Sequence, residues 1–396
     1  MRVAVINLIQ TPYREPLYES LSRTPGLTFR FFYLQTKDSV RGWSKLACCY
    51  DAVQVRCLTP EPLYPIPVIG AVNPGLIRHL RRFSPDCLVV YGYSYWTQMQ
   101  VIAWAIRRRT PYLLWADSNS HKLTSSGPMA ALKEACLRYF CRYAAGALTI
   151  GSLNEEFWRH YGLDGQRQFR SPLAVDNDYF GAQAAIWRRD KAAHRQSLGL
   201  PPGRLLLFVG RFAPSKNLEV LLRALAVCRK AGNHSLSLAL VGDGPEKTSL
   251  SRLTGELGLS GVLQFGFQPQ SELPKFYGIA DALVLPSMAE PWGLVVNEAM
   301  ASGLPVLLSR STGCLPDLLE ERGNGWSFDE KDVGSVAGCL QRFGLLREDE
   351  LARMGARSAQ LISRWSYANA LAGIHRALES VAAGVHRSLS AVSSIS

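Results

Sequence analysis

Short apolar runs alternate with amphipathic stretches along the first half of the chain. The apolar runs are rich in β-branched and aromatic residues and end at turn residues, which is typical of buried parallel strands. They are Arg2–Leu8, Leu27–Leu34, Cys87–Tyr91, Tyr112–Trp115 and Gly146–Ile150. Helical spacing follows in Gly75–Phe83, Gln98–Arg109 and Ala130–Ala144. This alternation predicts a parallel α/β sheet with helices as crossovers.

Residues 171–191 interrupt the alternation, and we interpret them as an interdomain connection. A second series follows, with strands at Leu205–Val209, Ser237–Val241, Val262–Phe265, Ala282–Leu285 and Pro305–Ser309 and with helices between them. A chain of 396 residues is also long for a single core. We therefore predict an α/β protein with two Rossmann-like parallel-sheet domains, at residues 1–180 and 181–365. The small polar residues from Gly384 to the end, 384–396, predict a disordered tail.

The composition is that of a globular protein, with 47% hydrophobic and 19% charged residues. The nine cysteines are odd in number and form no C-x-x-C pair, which argues against a disulfide framework or a zinc site. We see no signal peptide, and no apolar run reaches the roughly 18 residues that a spanning helix needs. The expectation is a cytoplasmic protein, at most peripheral at the inner face of a membrane.

Positive charge is concentrated in the first half. The net charge is +12, and residues 1–170 hold 21 of the 44 Lys and Arg but only 11 of the 32 Asp and Glu. Such a field suits phosphorylated substrates or an anionic membrane surface, or it is a solvated face with no partner. Leu76–Phe83 is a candidate membrane-facing basic helix, with an ordinary amphipathic surface helix as the alternative. No aromatic-basic platform supports nucleic-acid binding.

A cationic loop follows the first strand of the second series. Gly210, Arg211 and Lys216 lie between that strand and the next helix, so two cations and a helix N-terminus converge. Such a site favours an anion such as a diphosphate. The spacing is not that of a P-loop, and a capped helix with two surface cations remains an alternative.

Two further motifs end strands of the same series. Gly242, Asp243 and Gly244 allow close backbone approach to a ligand, or form a simple turn with Asp243 as helix cap. Glu290 and Gly293 precede a helix that contains Glu298. A glutamate can accept hydrogen bonds from sugar or ribose hydroxyls, although a capping or solvated role is the commoner one. All three motifs follow the carboxyl ends of strands, where open α/β sheets bind ligands.

Together these motifs resemble a known family. The sequence G-R-F-x-P-x-K-N, then V-G-D-G-P-E, then E-P-W-G-L-V-V-N-E between Glu290 and Glu298 is similar to retaining glycosyltransferase family 4 of the GT-B fold. The match covers roughly Leu205 to Phe328. The N-terminal half more weakly resembles a bacterial surface-polysaccharide branch of that family. The resemblance implies two Rossmann-like domains that face a central cleft, with a helix at 366–383 packed back on the first domain.

The resemblance also implies roles for individual residues. Arg211 and Lys216 would hold the donor diphosphate, Glu290 the transferred sugar and Glu298 the ribose. Backbone at Gly293, Leu294 and Val295 would contact phosphate. Gly210, the Gly242–Gly244 turn with Asp243, and the segment with Phe267 and Gln268 would complete the nucleotide site. The donor would be a nucleoside-diphosphate sugar and the acceptor a glycan or lipid-linked molecule, and no cofactor is expected.

The first domain departs from the family pattern. Many members carry a glycine-rich loop after the first strand, where this chain has Tyr13 and Arg14 on the acceptor side. Many carry a histidine where we place Asp117. A carboxylate there would accept a proton from the acceptor or orient it, or it would only cap the next segment. These departures keep an inactive GT-B scaffold open as an alternative. A GT-B nucleotide-sugar epimerase is a second alternative, against which the spacing of Glu290 and Glu298 argues.

No metal site is expected. Asp176 and Asp178 mimic the D-x-D metal motif of a different transferase fold, but we interpret this segment as a linker turn. Arg211 and Lys216 would neutralise the leaving diphosphate without a metal ion.

Overall fold

The computed structural model describes residues 1–36, 48–64, 66–124 and 127–393. The chain divides into two compact units. The first comprises Met1–Leu173 together with Tyr367–Ser396, and the second comprises Ala174–Ser366. The first boundary therefore lies before the predicted one at residue 180.

The first unit is built on a seven-stranded parallel sheet. Its strands are β1 (Arg2–Asn7), β2 (Thr28–Tyr33), β3 (Ala52–Gln54), β4 (Cys87–Tyr91), β5 (Tyr112–Trp115), β6 (Gly146–Thr149) and β7 (Gln168–Arg170). Their order in the sheet is β3-β2-β1-β4-β5-β6-β7, so the direction of winding reverses between β1 and β4. The helices are α1 (Glu15–Ser22), α2 (Leu76–Phe83), α3 (Trp96–Arg108), α4 (Pro128–Tyr143) and α5 (Ser152–His160).

The second unit has a six-stranded parallel sheet of order β10-β9-β8-β11-β12-β13. Its strands are β8 (Arg204–Val209), β9 (Leu236–Val241), β10 (Val262–Gln264), β11 (Ala282–Leu285), β12 (Val306–Ser309) and β13 (Gly325–Phe328). Its helices are α6 (Asn177–Arg188), α7 (Lys191–Ser197), α8 (Leu218–Lys230), α9 (Lys247–Glu256), α10 (Leu273–Ile279), α11 (Leu294–Ala301), α12 (Leu315–Leu318), α13 (Val333–Gly344) and α14 (Glu348–Ile362). Winding reverses between β8 and β11. The predicted α/β class with two Rossmann-like parallel sheets is confirmed.

The central strands are buried on both faces, which explains their continuous apolar runs. Every residue of β9 is buried, as is every residue of β11 and β12. A parallel strand covered by helices on both sides has no solvent face, so its sequence shows no alternation of polar and apolar residues.

The last helix, α15 (Tyr367–Ser393), belongs to the first unit. It packs on β6, β7 and α1. Ser171 Oγ donates to the carbonyl of Ala370 at 3.0 Å, and Thr24 Oγ1 lies 3.1 Å from His375 Nε2. Gly373 permits the contact, because a Cβ there would lie 2.0 Å from the Arg170 carbonyl oxygen.

Two segments differ from the sequence-based expectation. Residues 171–191, interpreted as a connection, contain α6 and the start of α7. Asp176 is therefore a helix cap: its Oδ1 accepts the backbone N–H of Tyr179 at 2.9 Å. Helix α15 continues to Ser393, where a disordered tail from Gly384 was expected, and residues 394–396 lie outside the described chain.

A buried carboxylate anchors α7 to the second sheet. Asp281 accepts from Lys191, from Arg195 at 2.7 Å and from the backbone N–H of Leu205 at 2.6 Å. Burial would raise the pKa of Asp281, but the cations of Lys191 and Arg195 lower it overall. The carboxylate therefore stays ionised and ties the end of the connection to β8.

Candidate active site

The predicted donor residues of the second unit gather at one edge of its sheet. Gly210 follows β8, Gly242 follows β9, and Glu290 lies between β11 and α11. All three strands are parallel, so these loops lie at the carboxyl edge of the sheet, beside the reversal between β8 and β11. That is the position at which open α/β sheets bind ligands.

Two glycines hold the loops after β8 and β9 together. A Cβ at Gly242 would lie 1.9 Å from the Gly210 carbonyl oxygen, and one at Gly244 would lie 2.4 Å from that of Phe212. The backbone N–H of Phe212 donates to the Asp243 carbonyl at 2.8 Å. Phe212 itself is fully buried below the loop. The motif thus fixes the backbone next to the predicted cations, and no larger residue fits at either glycine.

Lys216 and Glu290 form an ion pair across this edge. Lys216 Nζ bonds to Glu290 Oε2, and Ser287 Oγ lies 3.3 Å from the same oxygen. Their side chains are 21% and 12% exposed, so the pair is mostly shielded but still reachable from solvent. Lys216 ends a 3-10 turn, and Asn217 then adopts a left-handed backbone that begins α8. One cation and one carboxylate thus lie side by side, suited to a phosphate and a sugar hydroxyl.

The N-terminus of α11 lies beside this pair. Gly293 has φ +98°, and a Cβ there would lie 3.3 Å from the Cγ of Glu290. Within the described chain, no backbone hydrogen bond uses the N–H of Leu294 or Val295. These first-turn groups carry the positive end of the helix dipole and are available to an anion.

The remaining predicted donor residues are more exposed. Arg211 lies on the surface of the loop after β8, and Phe267 is 67% exposed after β10. Gln268 donates from Nε2 to the Phe265 carbonyl at 2.8 Å. Asp243 pairs with Lys247 at 3.0 Å, and Lys247 together with the Gly244 N–H lowers the pKa of its carboxyl group. Arg211 and Phe267 therefore have surface available for a ligand.

Glu298 differs from Glu290 in being fully buried. The hydroxyl of Tyr277, also fully buried, donates to Glu298 Oε2 at 2.6 Å. Tyr277 comes from α10, so this bond links α10 to α11. The predicted contact of Glu298 with a ribose stays a prediction. Tyr277 was missed from sequence, because an aromatic residue inside a short apolar helix resembles ordinary core.

In the first unit, Arg14 and Asp117 meet at the carboxyl edge of the sheet. Arg14 Nη2 lies 3.5 Å from Asp117 Oδ1. The guanidinium carbon lies 3.6 Å from the ring centroid of Tyr91 and 4.9 Å from that of Trp115. Tyr91 ends β4 and Trp115 ends β5, so the cation is held between the ends of two strands.

The surroundings keep Arg14 charged. Burial would lower the pKa of its guanidinium, but Tyr91, Tyr18 and Asp117 raise it overall. Burial raises the pKa of Tyr91, so its hydroxyl remains protonated. Tyr13, the residue before Arg14, is held through its backbone: its carbonyl oxygen accepts a hydrogen bond from the hydroxyl of Tyr367 at 3.0 Å. The contacts of Arg14 with the rings of Tyr91 and Trp115 were not predicted. The sequence feature that could have indicated them is that both predicted strands end in an aromatic residue.

A cavity of about 210 Å³ lies along the same edge of the first unit. Its lining includes Leu8, which follows β1, together with Tyr91, Tyr95 and Gln98. It therefore touches the reversal between β1 and β4, and its aromatic lining suits a sugar ring. Across the described ranges, no three His, Cys, Asp or Glu side chains converge as a metal centre would require.

The sequence of the chain is similar to proteins of one known family. The family described as "Glycosyl transferases group 1" matches residues 190–360, which contain the site of the second unit. A D-inositol 3-phosphate glycosyltransferase from Thermomonospora curvata is 32% identical over 359 residues, covering 83% of this chain and 81% of that protein. D-inositol 3-phosphate glycosyltransferase 2 from Catenulispora acidiphila is 35% identical over 224 residues, or 54% of this chain and 50% of that protein. A Nocardia farcinica relative is covered over 42% of its length, so the chain spans about half the length of several curated relatives.

Solved structures share the whole fold. HepE from Anabaena in complex with UDP has a TM-score of 0.72 at 16% identity, covering 96% of this chain and 100% of that one. Sucrose-phosphate synthase from Thermosynechococcus elongatus has a TM-score of 0.72 at 19% identity, covering 97% and 100%. The two parallel-sheet units are thus those of the GT-B fold of glycosyltransferases. The chain belongs to the group 1 glycosyltransferases.

Proposed function

We propose that the protein transfers a hexose or hexose derivative from a nucleoside-diphosphate sugar to a glycan or lipid-linked acceptor, with retention of anomeric configuration. The observation that carries this proposal is the Lys216–Glu290 pair beside the free N–H groups of α11. Family membership supports the transferase class. The surface-polysaccharide setting rests on the weaker resemblance of the N-terminal half.

The proposed chemistry is mainly electrostatic. Negative charge builds on the departing diphosphate while the anomeric carbon becomes oxocarbenium-like. Lys216, Arg211 and the N–H groups of Leu294 and Val295 stabilise that charge. Glu290 accepts a hydrogen bond from a hydroxyl of the transferred sugar. Its ion pair with Lys216 holds the lysine in place. Phe267 offers an exposed ring for the nucleobase.

We assign acceptor recognition to the first unit. Tyr91 and the cavity beside it provide an aromatic surface for a sugar ring. Asp117 is 39% exposed, so it can meet an acceptor hydroxyl, while Arg14 fixes its orientation. Orienting that hydroxyl, or accepting its proton, is the role proposed for Asp117.

The first experiment is a thermal-shift screen with UDP, GDP, ADP, dTDP and CMP. A ligand that binds only the folded state raises the melting temperature. We expect one diphosphate to raise it, and the rise to disappear in Arg211→Ala. Arg223→Ala is the matched control, since Arg223 is an exposed arginine of the same unit paired with Glu219 on α8. No shift with any nucleotide would instead favour an inactive scaffold.

Lys216→Ala tests the chemical step. We expect turnover of the donor sugar to fall about a hundredfold or more, the usual loss when one oxyanion-stabilising donor is removed. NMR of the product distinguishes retention from inversion and from epimerisation of the donor. Unchanged turnover in a folded Lys216→Ala protein would exclude the proposed diphosphate site.

A further inference from the structure

Helix α5 buries a polar side chain in its first turn. Asn154 is 2% exposed, and its spacing places it on the same side of the helix as the core residues Phe157 and Trp158. Helix α2 is different: its three buried residues are all apolar, so it packs as the ordinary amphipathic helix that was the alternative to a membrane-facing one. No helix in the described ranges is long and apolar enough to cross a bilayer. A buried amide such as that of Asn154 is stable only with hydrogen-bond partners.

Asn154 uses its N–H groups on the loop that carries Asp117. Its Nδ2 donates to the carbonyl oxygen of Ala116 at 2.9 Å and to that of Ser118 at 2.5 Å. These two residues stand directly before and after Asp117. The amide nitrogen carries two hydrogens, so each carbonyl accepts one of them. The backbone is thus held on both sides of the candidate carboxylate.

The oxygen of the same amide is fixed to the sheet. Asn154 Oδ1 accepts the backbone N–H of Ile150 at 3.1 Å, and Ile150 is fully buried directly after β6. Strand β6 pairs with β5, and the loop with Asp117 begins where β5 ends. Among side chains of this size, only asparagine offers one acceptor together with two donors. Asn154 therefore fixes the loop after β5 relative to the end of the neighbouring strand.

Other bonds hold the later part of this loop. The hydroxyl of Tyr93 lies 2.7 Å from Ser118 Oγ, and Ser120 Oγ donates to Glu156 Oε2 of α5 at 2.9 Å. Both involve residues after Asp117, whereas the bond from Asn154 to Ala116 holds the residue before it. The position from which Asp117 projects is therefore set from both sides.

We propose that Asn154 is a positioning residue of the transfer reaction, which acts by holding Asp117 where it meets the acceptor hydroxyl. This rests on the role proposed above for Asp117. Asn154 is buried and acts through the backbone of its neighbours rather than on a substrate. Arg14, 3.5 Å from Asp117 Oδ1, orients the carboxylate once the backbone is in place. A misplacement of about 1 Å at a reacting centre can cost about a hundredfold in rate.

The first test measures the contact between Asp117 and Arg14 by unfolding the full chain in urea. Asp117→Asn removes the carboxylate beside a mostly buried cation, so it should lower the urea midpoint of the wild type. Asn154→Leu removes both donors at similar size and releases the loop. In that background the same change at Asp117 should lower the midpoint by at most about half as much, because the two residues are coupled.

Asn73→Leu is the matched control. Asn73 is 1% exposed, and its Nδ2 donates to the carbonyls of Leu34, Val55 and Arg56, which lie outside the loop after β5. It should destabilise the first unit while the effect of Asp117→Asn stays complete. If Asn154→Leu does not fold, Asn154→Ser and Asn73→Ser replace the pair, since a serine hydroxyl keeps one donor but is too short for both carbonyls.

The second test measures turnover. The donor is the nucleotide sugar of the base found by the thermal-shift screen, the acceptor probes are the p-nitrophenyl glycosides of glucose, galactose and mannose, and release of the nucleoside diphosphate is followed. Asn154→Leu should lower turnover by up to about a hundredfold and leave the affinity for the diphosphate unchanged. In an Asp117→Asn background the same substitution should change turnover by less than about threefold, because the carboxylate that it positions is gone.

Three outcomes overturn the proposal. One is a wild-type urea midpoint that Asp117→Asn leaves unchanged, and another is an effect of Asp117→Asn that is equal in the wild type and in the Asn154 variants. The third is a double variant in which the two losses of turnover multiply, as they would if Asn154 only stabilised the fold. The urea test needs no sugar transfer, so an inactive wild type would contradict the proposed activity and still leave this proposal to be decided.

Discussion

Lys216 and Glu290 carry opposite charges, and in the proposed site each contacts a different part of the donor: Lys216 the diphosphate and Glu290 the sugar. In the structure they neutralise each other, and the hydroxyl of Ser287 lies 3.3 Å from the same carboxylate. A mostly buried cation next to its counter-ion is held in one position, which reduces the reorganisation needed when charge develops on a phosphate. The pair is therefore preorganised for the donor-binding role that we propose for it.

Glu290→Gln separates the two proposed contacts. The amide keeps the size of the side chain but removes the negative charge beside Lys216, so affinity for a nucleoside diphosphate should not fall. Turnover of the donor sugar should fall about a hundredfold. The amide is a weaker hydrogen-bond acceptor for the sugar hydroxyl, and it no longer forms an ion pair with Lys216. Titration calorimetry and a transfer assay measure the two effects. Glu256→Gln, an exposed glutamate of α9, is the control, and a loss of diphosphate affinity equal to that of Lys216→Ala would contradict this assignment.

Individual site residues were predictable where they belong to a motif at a strand end. Lys216 and Glu290 lie together as the sequence indicated, and Arg14 lies beside Asp117. Their partners were less predictable. Tyr277 and Trp115 have the sequence signature of core residues, and only their three-dimensional neighbours distinguish them.

The loops after β8 and β9 depend on a backbone contact that no side chain can replace. Gly242 has φ +146°, and its Cα lies against the Gly210 carbonyl. The contact brings two turns of the predicted donor site close together, so its loss would affect both stability and binding.

Gly242→Ala should therefore destabilise the second unit by more than Gly258→Ala. Gly258 has φ +63° but open space around it, so an alanine there carries only the conformational cost of about 1–2 kcal/mol. The clash at Gly242 adds to that cost. Scanning calorimetry measures both variants, and the transition that the proposed diphosphate ligand shifts is assigned to the second unit. Equal losses in the two variants would show that the loops move apart without penalty.

Strands that consist of a continuous run of apolar residues were predicted best from the sequence. The bounds of β4, β5 and β11 agree with the sequence prediction, because each is a buried run between turn residues. The edge strands β3 and β7 have three residues each, all partly exposed, and carry no apolar run to detect. Helix α6 was missed because Asp176 and Asn177 are common turn residues. Only the structure shows that Asp176 is the N-cap of this helix.

The two units differ in how the chain completes them. The second is one continuous segment, Ala174–Ser366, whereas the first needs Tyr367–Ser396 from the far end of the chain. Most of the excess positive charge also falls in residues 1–170.

A fragment of residues 174–366 should therefore fold alone and bind the same diphosphate as the full chain. A fragment of residues 1–173 should not fold stably, because it lacks the helix that covers β6 and β7. Circular dichroism and thermal shift check both fragments, and adding residues 367–393 in trans is the control for the second. A stable fragment 1–173 would show that α15 is dispensable to its unit.

The position of α15 also determines when each unit is finished during synthesis. Domains generally fold as they leave the ribosome, from the N-terminus onward. Here the unit that begins first cannot bury Ser171 against Ala370 until α15 has been translated. The second unit, although it is made later, is thus completed earlier, and a chain that stops before α15 would leave the first unit unfinished.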